Sequence, residues 1–175
     1  MRAFARNRLA RGLIALSATA LMVAGTSVSG LAEDGGGSGT IKAVDRGHGA
    51  RPLHFVGAPG ERHPGVYNFT FQNTDMEPHF IAFIKLADED ATRAQVIAAL
   101  DQTHGPQDIG PGKFFTDLAG APAIAGPGQS VPATEHFTSG RWVYFCPFQS
   151  MPNSPLHYKL GMLGFTEVER ADNRE

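Results

Sequence analysis

The 175-residue chain carries 15 basic and 17 acidic side chains, a formal charge of −2, and shows no basic stripe of the kind that tracks a nucleic-acid backbone. Its single cysteine, Cys146, excludes an internal disulfide framework. The 21 glycines and 12 prolines cut the sequence into short pieces, a punctuation that favours strands and turns over long helices.

At the N-terminus, Arg2, Arg6, Arg8 and Arg11 precede an apolar run over residues 13–24, and small residues lead to Gly30-Leu31-Ala32. A basic segment, a short greasy segment and a small-residue exit form the pattern of a secretory signal, here predicted to occupy residues 1–32. The apolar run is shorter than the roughly 20 residues that span a bilayer, so no stable membrane insertion is expected after signal removal. The expected destination is periplasmic or extracellular. The four arginines leave with the signal, so the remaining domain holds 11 basic against 17 acidic residues, a formal charge of −6.

Residues 33–40 read as a flexible lead-in, because glycine runs do not pack. A single domain is expected over residues 41–169, followed by a polar tail, 170–175. Residues 66–72 alternate, placing Tyr67, Phe69 and Phe71 on one face of a strand. A polar break at Asn73-Thr74-Asp75 separates it from a second apolar strand over residues 80–86. Residues 91–102 are the one helical segment: Asp90 or Thr92 caps it, Val96, Ile97 and Leu100 form its apolar stripe, and Gly105-Pro106 stops it. A long connection, 105–128, follows, with Phe114, Phe115 and Leu118 expected to lie against the sandwich. Two more strands are predicted at 140–145 and 163–168, with a proline-rich loop, 147–155, between them. Short strands, turn signals and one inserted helix together point to an all-β sandwich.

The chemistry gathers near the C-terminus. Trp142, Tyr144 and Cys146 share one face of a strand, by its period of two, so a sulfur emerges at a strand end on an aromatic floor. His157 and Met162 follow after the loop. Soft sulfur with imidazole suits copper that cycles between Cu(I) and Cu(II). The competing reading of Cys146 is a buried, inert thiol that packs as a small hydrophobe. A second imidazole is supplied upstream by Pro78-His79.

Two segments carry a family resemblance. Phe69, Asn73, Pro78 and His79, then Gly140, Trp142, Tyr144, Cys146, His157 and Met162, resemble the motifs of the cupredoxin (blue, type 1 copper) family in its long-loop, exported variant. The resemblance implies a cupredoxin-like Greek-key β-sandwich with one inserted helix and a long loop, holding one type 1 copper ion. It implies His79 and His157 as equatorial nitrogens, Cys146 as the thiolate and Met162 as the weak axial sulfur, with Met151 in the loop as the competing axial candidate. It implies one-electron transfer to a redox partner by transient contact near His157, where one imidazole edge is expected to approach solvent. A copper carrier or buffer using the same pocket, and a copper-free binding module, are the alternatives. Phe80 follows His79 where many members place an asparagine, so support for the sulfur is expected from elsewhere.

An enzymatic reading finds no footing. Phe145 and Pro147 flank Cys146 where multicopper oxidases place histidines, and the chain contains no His-x-His pair. His48, His54, His63, His104 and His136 are expected to be solvated side chains in loops or irregular segments.

Overall fold

A computed structural model describes residues 36–47 and 52–170. The predicted signal, 1–32, His48 and nearly all of the polar tail lie outside the described residues. No helix among the described residues is long and apolar enough to cross a membrane.

Among the described residues, ten strands and one α-helix follow in chain order: β1 (Gly37–Asp45), β2 (Leu53–Val56), β3 (Glu61–Arg62), β4 (Gly65–Asn73), β5 (His79–Leu86), α1 (Arg93–Leu100), β6 (Phe115–Leu118), β7 (Ala123–Ala125), β8 (Ser130–Phe137), β9 (Gly140–Phe145) and β10 (Leu163–Val168), with a short 3-10 turn at Pro106–Asp108 after α1. They build a two-sheet, all-β Greek-key sandwich. One sheet has the order β2-β1-β4-β8, the other β3-β10-β9-β5-β6, with β7 pairing onto the start of β5. Most pairs are antiparallel, while β1 runs parallel to β4 and β3 parallel to β10.

The core follows from side-chain periodicity. Tyr67, Phe69 and Phe71 are buried on one face of β4, as alternation predicts, and pack between the sheets with Ile41, Ile81, Phe83, Phe137 and Trp142. Strand β5 departs from alternation, because both of its faces are covered. Ile81 and Phe83 enter the inter-sheet core, while Ala82, Ile84 and Leu86 join a second cluster with Val96 and Leu100 of α1. Helix α1 therefore packs on the outer face of the second sheet, which gives β5 its near-continuous apolar run. Thr92 caps the helix in a reciprocal capping box with Gln95. The helix stops at Leu100, with Asp101 as its C-cap, two residues short of the predicted end.

Three expectations are corrected. The first strand begins at Gly37, inside the segment read as a flexible lead-in, and Gly37–Thr40 pair with Tyr67–Thr70 of β4. Glycine is used there for close approach, since a Cβ on Gly37 would meet the Tyr67 ring at 2.9 Å. The connection 105–128 is not all loop: β6 and β7 lie within it, both pairing with β5. His54 and His136 stand in strands β2 and β8 rather than in irregular chain.

Candidate metal centre

Strand β5 opens on His79, and strand β9 delivers Cys146 one residue past its end, so the pairing of β5 with β9 brings the two segments side by side. The Cys146 N–H donates to the Met162 carbonyl at 3.1 Å, and the Tyr158 N–H donates to the Cys146 carbonyl at 3.0 Å. Those bonds fold residues 156–162 back over the strand end. The turn is tightened by Met162 N–H donating to the His157 carbonyl at 3.0 Å, and Gly161 takes φ 125°, which favours glycine.

The result is a group of three potential ligands, all buried. Ligand atoms of His79, Cys146 and His157 lie within 4.8 Å of one another. The two Nδ1 atoms are 3.2 Å apart, and Cys146 Sγ is 3.5 Å from His157 Nδ1. The three residues come from positions up to 78 apart in the chain. Met162 is buried in the same cluster as Cys146, whereas Met151 is 68% exposed.

The neutral forms of Cys146 and His157 are favoured by burial. Burial pushes the Cys146 thiol up to about 11, partly opposed by backbone N–H groups of Phe148 and Phe80. Burial, with His79 alongside, lowers the His157 imidazole, and Glu77 and Asp75 oppose that shift. The Phe80 N–H donates to Cys146 Sγ at 3.3 Å. Support for the sulfur thus comes from the main chain of Phe80 itself, the residue that follows His79.

The asparagine that steadies the site is Asn73. Its buried side-chain amide donates to the Glu77 carbonyl at 2.6 Å and to the Ala125 carbonyl at 3.0 Å, and its Oδ1 accepts from the Asp75 N–H at 2.9 Å. It clamps the turn ahead of His79 onto β7.

Three contacts were missed in the sequence. Asp75 Oδ2 lies 2.8 Å from His79 Nε2. Glu77 Oε2 and Ser150 Oγ each lie 3.4 Å from His157 Nε2, and the Ser150 hydroxyl donates to Glu77 at 2.7 Å. The spacing of Asp75 four residues before the candidate ligand His79 is a legible signal; Ser150 has none. These contacts also correct the expected open edge of His157, which is only 1% exposed because Glu77 and Ser150 cover it.

The donor set fits one type 1 copper ion. A thiol and two imidazole nitrogens converge in a buried pocket, and soft sulfur with two imidazoles is the trigonal set that copper takes in electron-transfer sites. A structural zinc site closes with four cysteine, histidine or carboxylate ligands, and among the described residues the group here numbers three. The carboxylates of Asp75 and Glu77 sit at the far, Nε2 side of the rings.

Sandwich and donor set together are cupredoxin-like. No protein-family model and no curated protein matches the chain. Among solved structures, it is similar to a reduced auracyanin from the photosynthetic bacterium Roseiflexus castenholzii, with 22% identity, 76% of this chain and 97% of that chain covered, and a TM-score of 0.46. It is also similar to auracyanin A, a "blue" copper protein from Chloroflexus aurantiacus, with 18% identity over 75% of this chain and 99% of that chain, TM-score 0.44. Rusticyanin from Thiobacillus ferrooxidans matches at 17% identity over 74% of this chain and 75% of that chain, TM-score 0.44.

Proposed function

We propose that this chain is an exported, mononuclear type 1 copper protein that works in one-electron transfer and is not an enzyme. His79, Cys146 and His157 are the strong ligands in this reading, and Met162 is the weak axial one. The observation that carries it is the gathering of one sulfur and two imidazole nitrogens, from three buried residues, within 4.8 Å of one another. Copper bound there supplies a one-electron Cu(II)/Cu(I) couple. Cys146 lends the softness, the two imidazoles hold the set in one geometry, and Phe80 and Phe148 present N–H groups to the sulfur.

The position of Met162 supports the axial role: its backbone bonds both to Cys146 and to His157, and it is fully buried beside them. Burial of all three strong ligands favours retention of the ion over release, and so electron transfer over copper carriage. A redox partner is expected to meet the protein transiently near His157, over Glu77 and Ser150, where Met76 and Met151 stand exposed. Contacts of that kind are small and weak. The arginine-led N-terminal segment supports export.

The test is an optical and EPR spectrum of the copper-loaded protein, wild type against Cys146→Ser. An intense visible thiolate-to-copper band that vanishes in the variant is the expected result. A colourless, folded wild type, or a band that survives the substitution, overturns the proposal.

A further inference from the structure

The turn between β4 and β5 reads Thr74-Asp75-Met76-Glu77-Pro78 and ends at a ligand histidine. Asp75 Oδ2 lies 2.8 Å from His79 Nε2; the ring is fully buried and the carboxylate side chain is only 10% exposed. The mount is fixed, since the Asp75 N–H donates to Asn73 Oδ1, and Asn73 is itself anchored to Glu77 and Ala125 carbonyls. An imidazole that donates Nε2–H to a carboxylate keeps a lone pair on Nδ1. That is the atom facing His157 Nδ1 at 3.2 Å.

A ligand imidazole usually rests its far N–H on a carboxylate, a backbone carbonyl or water. Only the first of these brings net charge. Charges in a poorly solvated pocket interact far more strongly than in water, and a divalent ion gains more from a nearby anion than a monovalent one does. Glu77 provides the contrast at the other ring: it is 3.4 Å from His157 Nε2, 40% exposed and shared with Ser150, so solvent screens it.

We propose that Asp75 is a positioning residue for the copper centre, which selects the Nε2–H tautomer of His79 and holds a negative charge one ring away that favours Cu(II) over Cu(I). The inference rests on the type 1 copper reading of the same pocket. It assigns the two carboxylates of one turn unequal roles, with Asp75 tuning the centre and Glu77 covering it.

The experiment compares wild type, Asp75→Asn, Asp75→Glu and Glu77→Gln. Asp75→Asn is expected to lower the ratio of Cu(II) to Cu(I) affinity about tenfold, the low end for a residue behind a metal ligand, which reads as a rise of about 59 mV in reduction potential. Asp75→Glu is expected to restore part of the shift, and Glu77→Gln to move the potential by less than Asp75→Asn. NMR of the Cu(I)-loaded wild type gives a readout that needs no variant to fold: His79 is expected to show a protonated, slowly exchanging Nε2. An unchanged potential in Asp75→Asn with its copper band intact overturns this inference and leaves the copper reading standing. A His79 protonated at Nδ1 in the wild type overturns it equally. A wild type that takes up no copper sinks both.

Discussion

The phenol of Tyr158 donates to the carboxylate of Asp101, tying the residue next to His157 to the C-cap of helix α1. Lys159 reaches the same carboxylate at 2.7 Å, and Arg93, at the start of the helix, donates to the Leu163 carbonyl at 2.8 Å. The helical insertion therefore braces the turn that carries His157 and Met162, and the Tyr158 ring is buried in the cluster beneath α1. Tyr158→Phe keeps the ring and removes the tie. Because Asp101 is partly solvated and keeps Lys159, the expected cost is modest, about 1 kcal/mol in denaturant unfolding. Copper loss to a chelator should accelerate. Unchanged stability and an unchanged release rate would show that the tie does not brace the turn.

Glu135 predicts an unusual pH profile. It occupies an inward-facing slot of β8, is 99% buried (1% exposed), and neither carboxyl oxygen has a hydrogen-bond partner among the described residues. Tyr67, opposite it in register, donates its hydroxyl to the His63 carbonyl instead. Burial raises the Glu135 carboxyl from 4.5 to about 8. The folded state thus holds a proton that the unfolded chain releases. Stability from this group is complete below about 4.5 and is lost as pH rises towards 8, by up to about 1.4 kcal/mol per pH unit within that window. Thermal unfolding at pH 5, 6.5 and 8 isolates this group in the difference between wild type and Glu135→Gln, since the lowered His157 imidazole contributes with the opposite sign below 6.5 in both proteins. The Tm of the wild type relative to Glu135→Gln should fall as pH rises, and a difference that stays constant or grows refutes the assignment.

Met162 and Met151 separate cleanly by substitution. Leucine conserves volume, so Met162→Leu should cost under about 1.5 kcal/mol while altering the copper EPR and optical spectra and the reduction potential. Met151→Leu, on an exposed loop, should change neither stability nor spectra. A spectral change in Met151→Leu with a silent Met162→Leu would reverse the axial assignment.

Strands β4 and β9 were legible because their alternating aromatics record a buried face, and β5 because apolar residues run through it. The capping box of α1 is likewise local. Strand β8 was not, since it carries Pro132 and Glu135, both poor strand residues by type. Its edge position tolerates the proline, and an inward slot takes the acid. Strand β1 was masked by glycines that serve the approach to Tyr67 rather than flexibility. Strands β6 and β7 are too short to show a period, and their pairing with β5 is a long-range event. At the metal centre, His79, Cys146 and His157 sit in motifs set by chain-local geometry, and the structure brings them together. On the far side of the rings, Asp75 stands a local four residues before His79, whereas the contacts of Glu77 and Ser150 with His157 depend on how one turn and one loop fold against each other, which no local pattern records.

The five residues between β4 and β5 have a consequence for engineering. That turn delivers His79, the carboxylate behind it and the cover over the neighbouring imidazole, all clamped by Asn73. Inserting or deleting a single residue would misplace all three at once. Grafts that seek to recolour or retune the centre should hold the length of this connection between the sheets constant and vary its chemistry instead.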